Sequence, residues 1–411
     1  MGVRARRERA VSTDAALEVI ERVLADAGLT ATFVSSGSER YPVHRCSLLD
    51  GRGELVAESL GKGAGRQSRA SALFEAWQHL LHDRGQAGLP EDPRVRVLPI
   101  KRVVEQEALR GERMLARLAD DFAQVNVACL PLSPLRGTGE VWFPAFARSP
   151  ACRDHPVPGD DLQVYAPYLR YAYDNGTATG LDRDEAVLHA LLEVVERDCL
   201  SHALLRWYLD DGSPLRAVPR EGLPPDLRQL FDEVGERLGA PPLVVEITSD
   251  LGVPAFCALP SRPGGDPGVL GSGASLSAAY AVERALTELA QSAFNMGLGV
   301  DLTLQARLAS LREWPLLERC ARVDPGPLLD RLRFEASCEV EVVPERPVAG
   351  QVELLLDVLE AEGMRAWWFE WGPSRAECPV LTVVVPGMDH FSMVHSAVPV
   401  LPTGRAFSLL A

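Results

Sequence analysis

The sequence predicts a mixed α/β protein, with helices packed on sheets whose strands return by hairpins as well as by crossovers. Three features carry that prediction: a hairpin pattern turning at Asp50-Gly51, a long helical period near 182–211, and short apolar runs such as LVVEIT, AFCALP and PVLTVVVPG between helical segments. With 411 residues, 46% apolar and 24% charged, the chain can bury a sizeable core in one or two domains. Disorder, collagen and coiled coil are excluded.

Thr13 and Asp14 can cap AALEVIERVLADAG, a helix that stops at Gly28. ATFVSSG and VHRCSLLDGRGELVAESLG follow as strands, the second a hairpin. A helix covers about 67–83, the breaker-rich GQAGLPEDPRVRVLP interrupts the chain, and a helical segment lies near 102–120. From 129 to 180 the sequence reads as loop-rich. DRDEAVLHALLEVVERDCLSHALLRWYLDD is a long periodic helix, broken by the Pro-rich REGLPPDL. LVVEIT and AFCALP are strands, PSRPGGDPGVLGSG is a glycine loop, and SLSAAYAVERALTELAQSAFNMG is a helix. CEVEVVPE then reads as a strand, VELLLDVLEAEG as a helix and PVLTVVVPG as a buried strand.

A net charge of -15, from 57 acidic and 42 basic residues, leaves no electrostatic footprint for nucleic acid or an anionic membrane. The eight cysteines are scattered with no CxxC, so zinc and dithiol sites are not signalled and buried thiols are expected. The N-terminus is basic but lacks the apolar core and cleavage site of an export signal. No stretch reaches the ~18 apolar residues of a membrane span. The chain reads as a soluble protein of the reducing cytoplasm.

The informative anomaly is polar residues at helical spacing within helices that otherwise read as buried. Ser71, Glu75 and Gln78 lie within about 60° on one helical wheel. Glu185, His189, Glu193 and Glu196 fall within about 80° on a second, with Arg197 at the edge. Arg284, Glu288 and Gln291 repeat the first pattern on a third. Each stripe alone reads as a solvated helix face, but the flanking residues are Ala, Leu, Val, Phe and Trp. If the stripes converge, the carboxylates repel one another, and their burial costs several kcal/mol each unless cations neutralise them. Mg²⁺ takes carboxylate oxygens and brings phosphates, for which Arg197 and Arg284 are suited donors. The composite is a nucleotide–magnesium site built on helix faces.

GKGAGR, from Gly61 to Arg66, opens the first of these helices, where backbone N–H groups favour an anion; a plain turn accounts for the glycines equally well. It is neither a Walker A sequence nor a Rossmann fingerprint. Gly271-Ser272-Gly273 reads as linker, and no GxSxG nucleophile elbow occurs. His79 and His82 are assigned to a solvated side, His390 and His395 to ordinary surface or core, and Cys199 to a packed thiol.

At these residues the sequence resembles the YcaO family. The resemblance rests on GKGAGRQSRASALFEA, NGTATGLDRDEAVLHALLEVVERD and GSGASLSAAYAVERALTELAQS, in that order, and covers about residues 30–390. It implies a YcaO-type α/β fold of mixed sheets and packed helices, enclosing ATP and Mg²⁺ without a P-loop. A helical lead-in over 1–30 and a catalytic domain over 31–411 are the expected division. By motif position, Lys62, Ala70, Ser71, Glu185, Arg197, Arg284 and Gln291 would contact the nucleotide. Glu75, Glu185, Glu193 and Glu196 would hold metal, with Arg197, Arg284 and Glu288 as the catalytic set.

The implied activity is phosphorylation of a peptide backbone amide oxygen. Azoline formation at Cys, Ser or Thr ranks first, with thioamide or amidine formation, or a non-catalytic ATP-binding subunit, as alternatives. The chain departs from the family at Gln78, where a glutamate is usual, and near Leu181, where a polar residue is usual. Its ending, PVLPTGRAFSLLA, departs from the PxPxP tail of azoline formers. The implied partners are a precursor peptide and a separate leader-peptide-binding or TfuA-like protein. A homodimer is compatible with the reading.

Overall fold

The computed structural model describes residues 8–209, 213–262, 268–297, 302–334, 346–372 and 376–410. Helix α1 (Thr13–Asp26) turns Leu17, Ile20 and Leu24 inward. Its cap is Ser12, not Thr13 or Asp14, because the helix starts at Thr13 and the hydroxyl one residue earlier accepts from the Ala15 N–H at 3.3 Å. Strands β1 (Thr30–Gly37), β2 (Pro42–Leu49) and β3 (Leu55–Gly61) form an antiparallel sheet in that order. The expected β2–β3 turn is tied by Asp50, whose Oδ1 accepts from the Arg52 and Glu54 N–H groups at 2.8 and 3.0 Å. Helix α2 (Arg66–Ala87) lies on this sheet. Gly61 permits the close approach, since a Cβ there would strike the Ser68 carbonyl and the Ala72 nitrogen.

After β4 (Arg96–Pro99), the segment expected as one helix near 102–120 divides into α3 (Ile100–Val104) and α4 (Arg113–Asp121), separated by a 3-10 turn and Gly111. The stretch read as loops holds β5 (Asn126–Pro134), β6 (Val141–Pro144) and β7 (Thr177–Thr179). Residues on both faces of β5 are buried, so it lacks the two-residue alternation that marks a half-exposed strand. Helix α5 (Arg183–Tyr208) begins at Asp182, whose carboxylate accepts from the Glu185 N–H at 2.9 Å. It is buried on nearly every face, as a helix through the middle of a domain must be.

Next come β8 (Leu215–Ala217), α6 (Pro225–Leu238), β9 (Pro242–Glu246), β10 (Ala255–Pro260), β11 (Gly271–Ala274) and α7 (Ala278–Gly297). The segment read as linker, Gly271-Ser272-Gly273, is therefore a buried strand. Its glycines serve packing: a Cβ on Gly271 would meet the Ala285 carbonyl and one on Gly273 the Ala281 carbonyl, both in α7. The chain continues through α8 (Leu302–Ser310), α9 (Pro315–Arg322), α10 (Gly326–Leu329), β12 (Leu332–Phe334), α11 (Val348–Ala361), β13 (Trp367–Trp371) and β14 (Val380–Val384). The strand expected at CEVEVVPE lies outside the described residues.

The second sheet runs β11-β10-β9-β8-β12 and the third β4-β5-β13-β14-β7, with β6 beside β5. Only β8–β12 is parallel among the described pairings. Helix α5 packs against β7 and β14 of the third sheet and against β10 and β11 of the second, and so joins them. One core surrounds α5, another fills the space between α2 and the third sheet, and a third joins α6 to α7. His82 is buried rather than solvated because Trp371 of β13 covers that side of α2, with ring centroids 4.7 Å apart. Seven described cysteines are free and buried. Among the described residues no helix is long and apolar enough to cross a membrane.

Candidate functional site

The polar stripes of α2, α5 and α7 meet. Lys62, at the end of β3, forms an ion pair with Glu288 of α7. Arg284, one turn earlier on α7, donates from Nη2 to Glu196 Oε2 of α5 at 3.2 Å. The same carboxylate accepts from Ser272 Oγ at 2.6 Å and from the Ala274 N–H at 3.2 Å, both on β11. Gln291 fixes α7 to β3 through the Leu60 carbonyl at 2.7 Å, and Gln78 fixes α2 to β7 through the Thr177 carbonyl at 2.8 Å. Gln78, the position lacking the usual carboxylate, is thus a tie between elements.

The carboxylates differ in charge state. Glu196 is held at about 2: burial alone would raise it, but Arg284, Arg197 and Lys62 outweigh burial. Glu193 is pushed up to about 8 by burial, with Arg197 opposing and Asp174 and Glu196 adding to the rise. Glu75 is also raised, first by burial and then by Glu288 and Asp174, against the charges of His79 and Lys62. Burial disfavours the charged forms of Arg197 and Arg284, yet the surrounding acids leave both above the ordinary arginine value. Among the described residues no three His, Cys, Asp or Glu side chains are gathered closely enough to hold a metal ion. Basic side chains supply the counter-charges between these carboxylates.

Three cavities lie along the junction. One of about 220 Å³ is lined by Ala70, Ser71, Phe74, Leu181 and Glu185. A smaller one of about 50 Å³ lies between Lys62, Ser71 and Arg284. Beyond the Lys62–Glu288 pair, a third of about 340 Å³ is lined by Tyr173, Asp174, Glu193, Arg197, Glu288 and His395. A chamber with one apolar wall of Ala70, Phe74 and Leu181 and charged groups on the other thus lies beside the Lys62–Arg284 constriction, with the acidic chamber beyond the Lys62–Glu288 pair. Leu181 lines the apolar chamber, where the departure from a polar residue is at home. A larger cavity of about 1350 Å³, bounded by Arg110, Glu140, Trp367 and Arg405, contains none of these residues.

Several contributors escape sequence reasoning. Asp174 immediately precedes the NGTATG motif and was within reach of it. His395, set aside as ordinary, borders the acidic chamber, and its Nδ1 faces the Ser392 carbonyl. Glu8 and Arg9 enter the site from before α1, with no periodicity to announce them. Cys199 is fully buried and its thiol is pushed up to about 12 by burial, which fits the packed-thiol reading.

A family model described as YcaO cyclodehydratase, ATP- and Mg²⁺-binding, matches residues 60–389. An uncharacterised protein of Methanothermobacter thermautotrophicus is 28% identical over 348 residues, covering 81% of this chain and 82% of its own. Among solved structures, YcaO from Methanopyrus kandleri bound with AMPPCP and Mg²⁺ superimposes with a TM-score of 0.64 at 21% identity, covering 97% of this chain and 98% of that one. A heterocyclase in complex with substrate and cofactor gives a TM-score of 0.65 at 18% identity, over 98% of this chain but 59% of the heterocyclase. The E. coli microcin synthetase McbBCD complex with pro-MccB17 bound gives 0.54 at 14% identity, over 88% of each chain. At these identities the structural likeness is one of fold.

Proposed function

Because the chain belongs to the YcaO family, an ATP- and Mg²⁺-binding one, we propose that it uses ATP to activate a backbone amide of a ribosomally made peptide. The observation that carries this reading is the convergence of the α2, α5 and α7 stripes on one line of cavities, with Lys62, Arg197 and Arg284 in their midst.

The basic donor set suits the phosphates of a nucleotide. Arg284 Nε is buried without a hydrogen-bond partner, a donor left over for an anion. Glu75 and Glu193 are buried acids whose charged forms lack sufficient compensation, as groups awaiting a cation would be. Ala70 and Ser71 border the apolar chamber, which suits a base and sugar, with Gln291 holding the neighbouring strand end. Lys62, Arg197 and Arg284 would hold phosphate oxygens; Glu75, Glu185, Glu193 and Glu196 are the metal ligands the family resemblance implies, and they would have to draw together around the ion, because among the described residues they are not gathered into one cluster.

An amide is a poor electrophile because resonance ties up its carbonyl carbon. ATP with Mg²⁺, when bound, supplies the phosphoryl group that turns the amide oxygen into a leaving group. The chain's own part is electrostatic and positional. Arg197 and Arg284, kept cationic by the acids around them, stabilise negative charge developing beside Glu288. Glu288, paired with Lys62, keeps that lysine directed at the junction between the two larger cavities. The acidic chamber is the place left for the peptide amide.

Azoline formation by a Cys, Ser or Thr side chain of the peptide is the favoured outcome, with a precursor peptide delivered by a separate binding protein. Attack by external sulfide, giving a thioamide, is the second reading. Mass spectrometry of the cognate precursor after incubation with the chain, its partner and MgATP separates them. Loss of the mass of water marks the azoline, and exchange of oxygen for sulfur marks the thioamide. An unchanged peptide with this complete set overturns both.

A further inference from the structure

The cleft is entered by the chain itself. Residues 8–12 precede α1 and lay two charged side chains among the groups assigned above to phosphate and metal. Glu8 is 1% exposed, and neither of its carboxylate oxygens completes a hydrogen bond among the described residues. Burial disfavours its charged form, while Arg284, the Ser275 hydroxyl and Arg9 favour it. Arg9 points the other way: Nη1 donates to Glu185 Oε1 at 2.8 Å and touches Nε2 of His189. The Ala10 N–H approaches the second oxygen of Glu185 at 3.4 Å. Both side chains border the apolar chamber beside Ser71 and Tyr280, and Arg9 also reaches the small cavity beside Lys62.

The charge arrangement is that of a ligand in miniature. A carboxylate, 4.0 Å from Nδ1 of His189, sits in the positive field of Arg284, as a phosphate would, and a guanidinium neutralises Glu185, as a metal cation would. A carboxylate buried with so few well-formed hydrogen bonds is a cost to the folded state, so this seat does not hold Glu8 for its own sake. We propose that residues 8–12 form an autoinhibitory strap, in which Glu8 and Arg9 stand in for phosphate and cation and must leave before MgATP is fully seated. The inference rests on the nucleotide reading of the cleft. It implies that the apparent affinity for nucleotide is reduced by the fraction of molecules in which the strap is closed.

The test uses the full chain and MgAMPPCP as probe. Titration calorimetry compares the parent with Glu8→Gln, which removes charge at nearly constant volume, Arg9→Gln, which removes charge and shortens the side chain, and the double variant. The double variant should bind roughly tenfold more tightly than the parent, by relief of competition. Unchanged binding would make the strap a bystander, and weaker binding would make Glu8 and Arg9 nucleotide ligands; either overturns the proposal. On the unaltered chain, hydrogen exchange at amides 8–12 should rise when MgAMPPCP is added, and increased protection would contradict displacement. Absence of binding in every version would overturn the nucleotide reading, and the strap with it, whereas loss of the difference alone removes only the strap.

Discussion

Replacing Glu196 by Gln removes one negative charge, at nearly constant volume, from the point where α5, β11 and α7 meet. Glu196 is 2% exposed and accepts hydrogen bonds from Ser272, Ala274 and Arg284. It is held at about 2 against the ordinary 4.5, since Arg284, Arg197 and Lys62 overcome the opposing effect of burial. That gap corresponds to about 3 kcal/mol of stability. The contribution is present above the ordinary carboxylate value and is lost as pH falls through the folded value. An unfolding entropy of about 2.1 cal/mol/K per residue, applied to 411 residues, converts this into a Tm about 3–4 °C lower for Glu196→Gln at pH 7. Thermal unfolding followed by circular dichroism measures it, and at pH 3 the difference should shrink to roughly under half. Equal Tm values at pH 7, or a gap that persists on acidification, would refute the assignment of Glu196 as the electrostatic link between α5 and α7.

Arg284→Lys keeps the charge but not the planar fork, so MgATP turnover should fall at least about tenfold while circular dichroism is unchanged; equal rates would return Arg284 to a structural role. Glu193, raised to about 8 by burial, is mostly protonated at neutral pH. Its neutral form contributes stability that is full below the ordinary carboxylate value and lost as pH rises through about 8, so Glu193→Gln should flatten the pH dependence of Tm over that window. MgATP binding at pH 7 should also release close to one proton from the parent and less from Glu193→Gln, read by calorimetry in buffers of different ionisation enthalpy.

The three stripes were legible because the helical period places i, i+4 and i+7 residues together whatever surrounds the helix. Their convergence was legible only as a condition, and the structure meets it differently from the simplest expectation: Lys62, Arg197 and Arg284 supply counter-charge, and Glu193 is held largely protonated. Strand β11 was missed because glycine signals a loop in sequence but permits close packing in the fold. Strand β5 was missed because burial of both faces erases alternation. His82 was misplaced because the residue that covers it, Trp371, lies 289 positions later in the chain. Glu8 and Arg9 precede the first helix and acquire their meaning only from tertiary neighbours.

Activation of a peptide amide through its oxygen is the chemistry proposed for this cleft. The cognate precursor peptide, carrying ¹⁸O at its backbone carbonyls, is turned over with MgATP, the chain and the precursor's binding partner, and the released phosphate is analysed by mass spectrometry. One ¹⁸O should enter inorganic phosphate for each amide converted. Conversion of the peptide with no label in phosphate would contradict it.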